Sequence, residues 1–260
     1  MTPRLLVIAG SDSSGGAGIQ ADLKTAQAFG VYAQTAVTAV TVQNTLGVGA
    51  VHPLPPDIVR GQIAAALEDI GADVLKIGML GNGAIAAAVA DMLEDERYAA
   101  IPLVLDTVLL SSSGAPLLDA AGLEVLKTRL LRRALLVTPN LPEAEALTGI
   151  YPGNEDRIRN AVTALKLLGA DSILFKGGHG QGDQLRDVLW HDSAMTVFEA
   201  TRQETRHSHG TGCTLATAIA CGLAQGRNLV EAVGRAHTYV QSAIRTAPGL
   251  GGGSGPLNHN

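Results

Sequence analysis

Apolar and polar positions along this chain switch repeatedly between two patterns. Short continuous apolar runs, as strands covered on both faces require, recur between segments of helical spacing. Leu5–Ala9 is the first such run, and it ends in a glycine-rich loop over residues 10–18. Ile19–Phe29 then has helical spacing and is closed by Gly30. Thr35–Val42 is rich in β-branched residues and predicts a strand. Pro55-Pro56-Asp57 opens a helix that ends near Gly71. Strand Val74–Ile77, helix Ala84–Leu93, strand Leu103–Asp106 and helix Leu123–Leu131 follow. Strand Leu135–Thr138 is halted by Pro139, helix Asp156–Leu168 stops at Gly169, and Ser172–Phe175 is a further strand. Between Asp187 and Ala200 the pattern predicts a hairpin around His191-Asp192. Helices at about 212–224 and 229–246 complete the pattern, and the tail 249–255, with five glycines, reads as a flexible end. Such alternation implies an α/β fold with a mainly parallel sheet and helices on both faces. No linker or internal repeat divides residues 1–260. Ligands in such folds bind beyond the carboxyl ends of the strands.

Composition narrows the function. Hydrophobic residues make up 46% and charged residues 17%, which excludes a disordered chain. Aromatic content of 3%, a net charge of −5 and the lack of a basic run argue against a nucleic-acid partner. The sequence shows no signal peptide and no apolar run of spanning length, so the expectation is a cytoplasmic protein without a membrane partner. Cys213 and Cys221, if on one helix, stand about 12 Å apart, too far for a disulfide. Neither Cys-x-x-Cys nor a zinc-ligand spacing occurs.

Chemistry concentrates at His209-Gly210-Thr211-Gly212-Cys213-Thr214. A glycine turn that starts a helix presents free N–H groups at the positive end of the dipole, which suits a phosphate or a phosphoryl group in transfer. Both common nucleotide fingerprints, GxxxxGK[ST] and GxGxxG, are absent. Cys213 stands in the first turn, where thiolate is favoured, and becomes a candidate proton acceptor; Cys221 reads as a small buried hydrophobe. Lys176 follows an apolar strand and precedes two glycines, which suits a phosphate contact, although a strand-end lysine can also simply reach solvent. Asn140 and Glu143 follow another strand; their spacing suits Mg²⁺, or equally a helix N-terminal turn. Gln43 ends a strand; it could be a solvated loop residue, or its donor beside an acceptor could match a ring nitrogen beside an exocyclic amine, as on an aminopyrimidine. Asp22 is an acid in the first helix, His179, His207 and His209 read as loop residues, and Arg129–Arg133 as a solvated helix end.

The motifs also have a family order. Residues 8–22 (Ile-Ala-Gly-Ser-Asp-Ser-Ser-Gly-Gly-Ala-Gly-Ile-Gln-Ala-Asp) open it. Val42-Gln43-Asn44-Thr45, Lys76-Ile77-Gly78-Met79-Leu80, Leu105-Asp106-Thr107-Val108, Thr138-Pro139-Asn140-Leu141-Pro142-Glu143 and Lys176-Gly177-Gly178-His179 follow, and Gly253–His259 closes it. Together with the 209–214 turn they resemble the hydroxymethylpyrimidine kinases of thiamin biosynthesis, in the ribokinase superfamily, over nearly the whole chain. The resemblance implies one ribokinase-like kinase domain over 1–260. It implies transfer of the γ-phosphate of ATP, with Mg²⁺, to 4-amino-5-hydroxymethyl-2-methylpyrimidine and then to its monophosphate. By the same resemblance Cys213 is the proton acceptor, the 210–213 amides form the anion hole, Lys176 meets phosphates, and Asn140 and Glu143 hold the metal. Gln43, Met79, Val108 and Asp22 face the pyrimidine, His209 and Asn140 touch the nucleotide, and the assembly is a homodimer. Ser208, Ser11 and Ser13 depart from the family's usual Thr, Thr and Pro. Most of the superfamily has Asp where this chain has Cys213. The alternatives are a pyridoxal kinase and a non-catalytic pyrimidine sensor.

Overall fold

One nine-stranded sheet runs through the protein in the order β3-β2-β1-β4-β5-β6-β7-β8-β9. The structure, a computed structural model, describes residues 1–111, 114–177 and 184–260. The strands are β1 (Arg4–Asp12), β2 (Tyr32–Asn44), β3 (Gly47–Pro53), β4 (Val74–Ile77), β5 (Leu103–Leu105), β6 (Leu136–Val137), β7 (Ser172–Phe175), β8 (Gln184–His191) and β9 (Ala194–Thr201). Six of them, β2-β1-β4-β5-β6-β7, are parallel; β3, β8 and β9 are antiparallel additions at the two sides.

The side-chain alternation of each strand separates two apolar layers. Leu6, Ile8, Leu75, Ile77, Leu103 and Leu105 point into one layer. This layer is covered by α2 (Pro56–Asp69), α3 (Gly83–Leu93), the rod formed by α4 (Ala120–Val125), a π-turn (Leu126–Leu130) and α5 (Leu131–Arg133), and then α6 (Leu141–Thr148) and α7 (Glu155–Leu167). Leu5, Val7, Ala9, Val74 and Val104 point the other way, beneath α1 (Gly18–Ala28), α8 (Thr211–Ala224) and α9 (Leu229–Arg245). The sheet order reverses at β1, whose neighbours are β2 and β4, so the switch point of the sheet lies at the 10–18 loop.

Three elements differ from the sequence reading. β3 completes a hairpin with β2, yet Gly-Val-Gly-Ala-Val-His-Pro carries no clean two-residue alternation. α6 is short and starts on a Pro-containing first turn. The glycine-rich tail is docked rather than loose. Ser254 N donates to Thr45 O at 2.9 Å, His209 N to Gly255 O at 3.1 Å and Asn258 N to Ala243 O at 3.1 Å, while Leu257 is buried. The hairpin at β8–β9 is as expected, with Asp192 and Ser193 both at positive φ. Among the described residues no helix is long and apolar enough to cross a membrane.

Candidate active site

The carboxyl ends of the parallel strands open into one cleft of about 870 Å³. Its walls take Asp12 from β1, Gln43 from β2, Met79 after β4, Asp106 after β5, Asn140 after β6 and Lys176 after β7, with the start of α8 above them. Val108, Glu143, His209 and residues 210–213 also line it.

The turn into α8 depends on a left-handed residue. Gly210 is the N-cap at φ 83, and a Cβ there would collide with the Gly16 carbonyl oxygen. Thr211 N is taken by Ser208 O at 3.2 Å. The amides of Gly212 and Cys213 are first-turn donors with no carbonyl partner inside the helix, so they and the helix dipole point into the cleft.

A charged ribbon lies directly under that turn. Lys176 Nζ donates to Asp106 Oδ1 at 2.8 Å and stands 3.7 Å from Glu143 Oε2. Thr138 Oγ1 donates to the same Asp106 oxygen at 3.2 Å. Burial alone would lower the Lys176 ammonium, but Asp106 and Glu143 hold it above the usual lysine range. Burial likewise raises Glu143, against the pull of Lys176. Asn140 and Glu143 form a reciprocal capping box on α6, Glu143 N to Asn140 Oδ1 and Asn140 N to Glu143 Oε2, each at 2.8 Å. The Asn140 side-chain oxygen thus caps α6. Thr107 also donates to Glu143 Oε2, at 3.1 Å.

Two other expectations are corrected. Asp22 does not reach the cleft; it is fully buried on the sheet side of α1. Both its carboxylate oxygens take Lys76 Nζ at 3.0 Å, and Oδ1 also takes Thr217 Oγ1 at 2.6 Å. Cys213 is not a ready thiolate. Burial pushes its thiol up to about 11, Asp22 and Asp106 add to the rise, and Lys76 and the Gly18 N–H only partly oppose it. Desolvation and two carboxylates outweigh the helix start. Iodoacetamide labelling of Cys213 is accordingly expected to rise about tenfold per pH unit from pH 7 to 9, without a plateau. The measurement is made on Cys221→Ala, which removes the other thiol. A plateau near pH 8 would restore the thiolate reading.

At the β2 side, Asp12 organises the 10–18 loop. Its carboxylate accepts from Ser14 N and Oγ and from Ala17 N, each at 2.8 Å, from Gly16 N at 3.2 Å, and from His209 Nε2 at 2.8 Å. Burial alone would raise Asp12, yet these donors hold it down at about 2. His209 is thus fixed beside Gln43, on the opposite side of the cleft from β8. The Gln43 amide lies between Thr41 Oγ1 at 3.3 Å and His209 Nε2 at 3.4 Å. Met79 and Val108 line the same cleft as apolar walls. At the β8 side, Asp187 accepts from Gly177 N at 2.7 Å, and α9 contributes His237 and Gln241. His237 Nε2 and Gln241 Oε1 are buried and have no hydrogen-bond partner among the described residues. Gly178 and His179 lie outside the described residues.

Sequence reasoning left Asp12, Asp106 and the α9 pair without roles. The first two were visible as carboxylates ending apolar strands. His237 and Gln241 are one helical turn apart but carried no local signal.

A cleft across parallel strand ends, with a glycine-turn helix start facing a partly buried lysine and two carboxylates, defines a small-molecule phosphotransferase of ribokinase-like architecture. The family model described as phosphomethylpyrimidine kinase matches residues 12–258. The hydroxymethylpyrimidine/phosphomethylpyrimidine kinase of Haemophilus influenzae is 45% identical over 260 residues, covering 98% of this chain and 96% of that protein. The thiamine biosynthesis bifunctional protein ThiED of Geobacter sulfurreducens is 46% identical over 98% of this chain, and the chain spans 52% of that longer protein. Among solved structures, an ADP complex of Bacillus subtilis pyridoxal kinase has a TM-score of 0.90 at 32% identity, covering 100% of this chain and 98% of that one. The phosphomethylpyrimidine kinase of Clostridium difficile has a TM-score of 0.81 at 40% identity, covering 94% of this chain and 100% of that one. The chain belongs to the phosphomethylpyrimidine kinase family.

Proposed function

We propose that this protein transfers the γ-phosphoryl group of ATP to the hydroxymethyl group of 4-amino-5-hydroxymethyl-2-methylpyrimidine, and then phosphorylates the monophosphate to the diphosphate used in thiamin assembly. The observation that carries this reading is the order of groups across the sheet. Gln43, Met79 and Val108 form a ring-sized end, the α8 amides and Lys176 occupy the centre, and the β8–α9 walls form a second end for the nucleotide.

The division of labour follows from the geometry. The Gln43 amide reads the pyrimidine edge with one donor and one acceptor. Lys176 places its charge where the transferred phosphoryl oxygens would lie, and the Gly212 and Cys213 amides face the same place. Cys213, as a thiol, orients the attacking hydroxyl; this reaction depends more on positioning and charge than on a strong base. Mg²⁺ is usually held by one or two carboxylates together with phosphate oxygens. Asp106 and Glu143 supply that hard-oxygen pair, and among the described residues no cluster of three or more His, Cys, Asp or Glu could hold an ion unaided. When bound, the ion would supply positive charge that neutralises the nucleotide phosphates. A cytoplasmic setting and a homodimer belong to the same reading, and sedimentation tests the latter.

Phosphorylation of pyridoxal is the second reading, favoured by the likeness to B. subtilis pyridoxal kinase. The test is a coupled ATP assay with the pyrimidine alcohol and pyridoxal side by side. Faster turnover of pyridoxal at equal concentration would overturn the first reading. Gln43→Leu should weaken pyrimidine binding about ten- to a hundredfold by leaving a polar edge unpaired, with ATP affinity unchanged. Equal calorimetric affinities for the two proteins would remove Gln43 from the ring site.

A further inference from the structure

The polar chain around Gln43 has a direction. His209 Nε2 lies 2.8 Å from the Asp12 carboxylate, which when ionised only accepts. That imidazole nitrogen therefore carries the proton. It also faces one end of the Gln43 amide at 3.4 Å. A nitrogen holding its proton toward a carboxylate has no lone pair for an amide N–H, but it can share the proton with an amide oxygen. At the other end, Thr41 Oγ1 has one proton and two groups in reach, Ser11 O at 3.0 Å and the Gln43 amide at 3.3 Å; given to the nearer carbonyl, the proton leaves lone pairs toward Gln43. An amide has the same shape either way round, and the protons of its neighbours decide which end is oxygen. Both neighbours give one answer: oxygen toward His209, NH₂ toward Thr41.

We propose that Asp12 and His209 are positioning residues that lock the Gln43 amide in this one sense, so that the cleft accepts a ring with an amine beside an unprotonated ring nitrogen and rejects its oxo counterpart. This rests on Gln43 reading the ring, as under the proposed function. A freely turning glutamine pairs equally with either ring, since rotation exchanges its donor and acceptor. A locked one meets the oxo ring with oxygen against oxygen and N–H against N–H. The lock also orients the accepted ring. The amine must lie on the His209 side, and the hydroxymethyl group adjacent to that amine falls on the side where the chain turns into α8.

The test compares calorimetric affinities for the 4-amino pyrimidine alcohol and its 4-oxo analogue, together with KM and kcat for the amino compound. The wild type should prefer the amino ring by about a hundredfold. His209→Leu should bring the two affinities within about tenfold of each other. His209→Gln, which can donate one N–H to Asp12 and one to Gln43, should keep the preference. Thr41→Val, similar in shape, should erode the same ratio and serves if His209→Leu does not fold. An unchanged ratio in His209→Leu, or in Thr41→Val where that variant stands in, overturns the lock, as does a wild type that binds both rings equally. These outcomes differ from failure of the ring assignment, in which Gln43→Leu itself leaves pyrimidine binding untouched.

Discussion

Lys176→Met should lower kcat by about a thousandfold, at the upper end of what removal of one preorganised charge-stabilising donor costs. The ammonium sits between Asp106 and Glu143, below the free amides of α8, so its charge is aimed at the centre of the cleft rather than at the Gln43 end. Pyrimidine affinity should therefore hardly change. Rapid-quench measurement of phosphoryl transfer, paired with calorimetry on the pyrimidine alcohol, separates the two effects. A loss confined to pyrimidine affinity would show that Lys176 has been assigned to the wrong substrate.

The second large effect is on stability. Lys76 and Asp22 are both fully buried, and the pair stands among Val7, Val74 and Val104 on the sheet face under α8. Burial alone would push the Lys76 ammonium down, yet Asp22 and the nearby acids hold it above its ordinary value. Lys76→Met leaves a buried carboxylate whose only remaining side-chain donor among the described residues is Thr217. Breaking such a pair costs about 3–5 kcal/mol. For a chain of this size that lowers Tm by roughly 6–20 °C. Lys76→Met combined with Asp22→Asn removes both charges and keeps an acceptor for Thr217, so most of the loss should return. Calorimetric melting of the single and double variants decides it. If the double variant melts no higher than Lys76→Met, the cost comes from packing and not from the stranded charge.

These two lysines also show where the sequence was legible. Lys176 ends an apolar strand beside two glycines; that pattern left cleft and solvent both open, and the family resemblance pointed to the cleft, where the structure has it. Lys76 stands inside the run Val74–Ile77, and nothing in a one-dimensional pattern says that its partner is an acid 54 residues earlier. Asp22 was misplaced for the same reason, because helical spacing does not tell which neighbouring element a helix face meets. Cys213 was correctly placed in the first turn of a helix. Its acidity was misjudged because burial and nearby carboxylates are properties of the folded molecule. Strand and helix order was readable wherever apolar runs were continuous. β3 and the tail were not, since glycine weakens the alternation of the first and mimics disorder in the second.

The docked tail has a bearing on how the protein is made. Residues 10–18 line the Gln43 end of the cleft, but His209, which binds Asp12 of that loop, and the tail segment that bridges to His209 follow more than 190 residues later. At translation rates of about 5–20 residues per second, the first part waits on the order of ten to fifty seconds for the last. Throughout that interval Leu5, Val7 and Ala9 lack the cover of α8 and α9. The nascent chain thus exposes an apolar sheet face until α8 and α9 have been made and have docked on it.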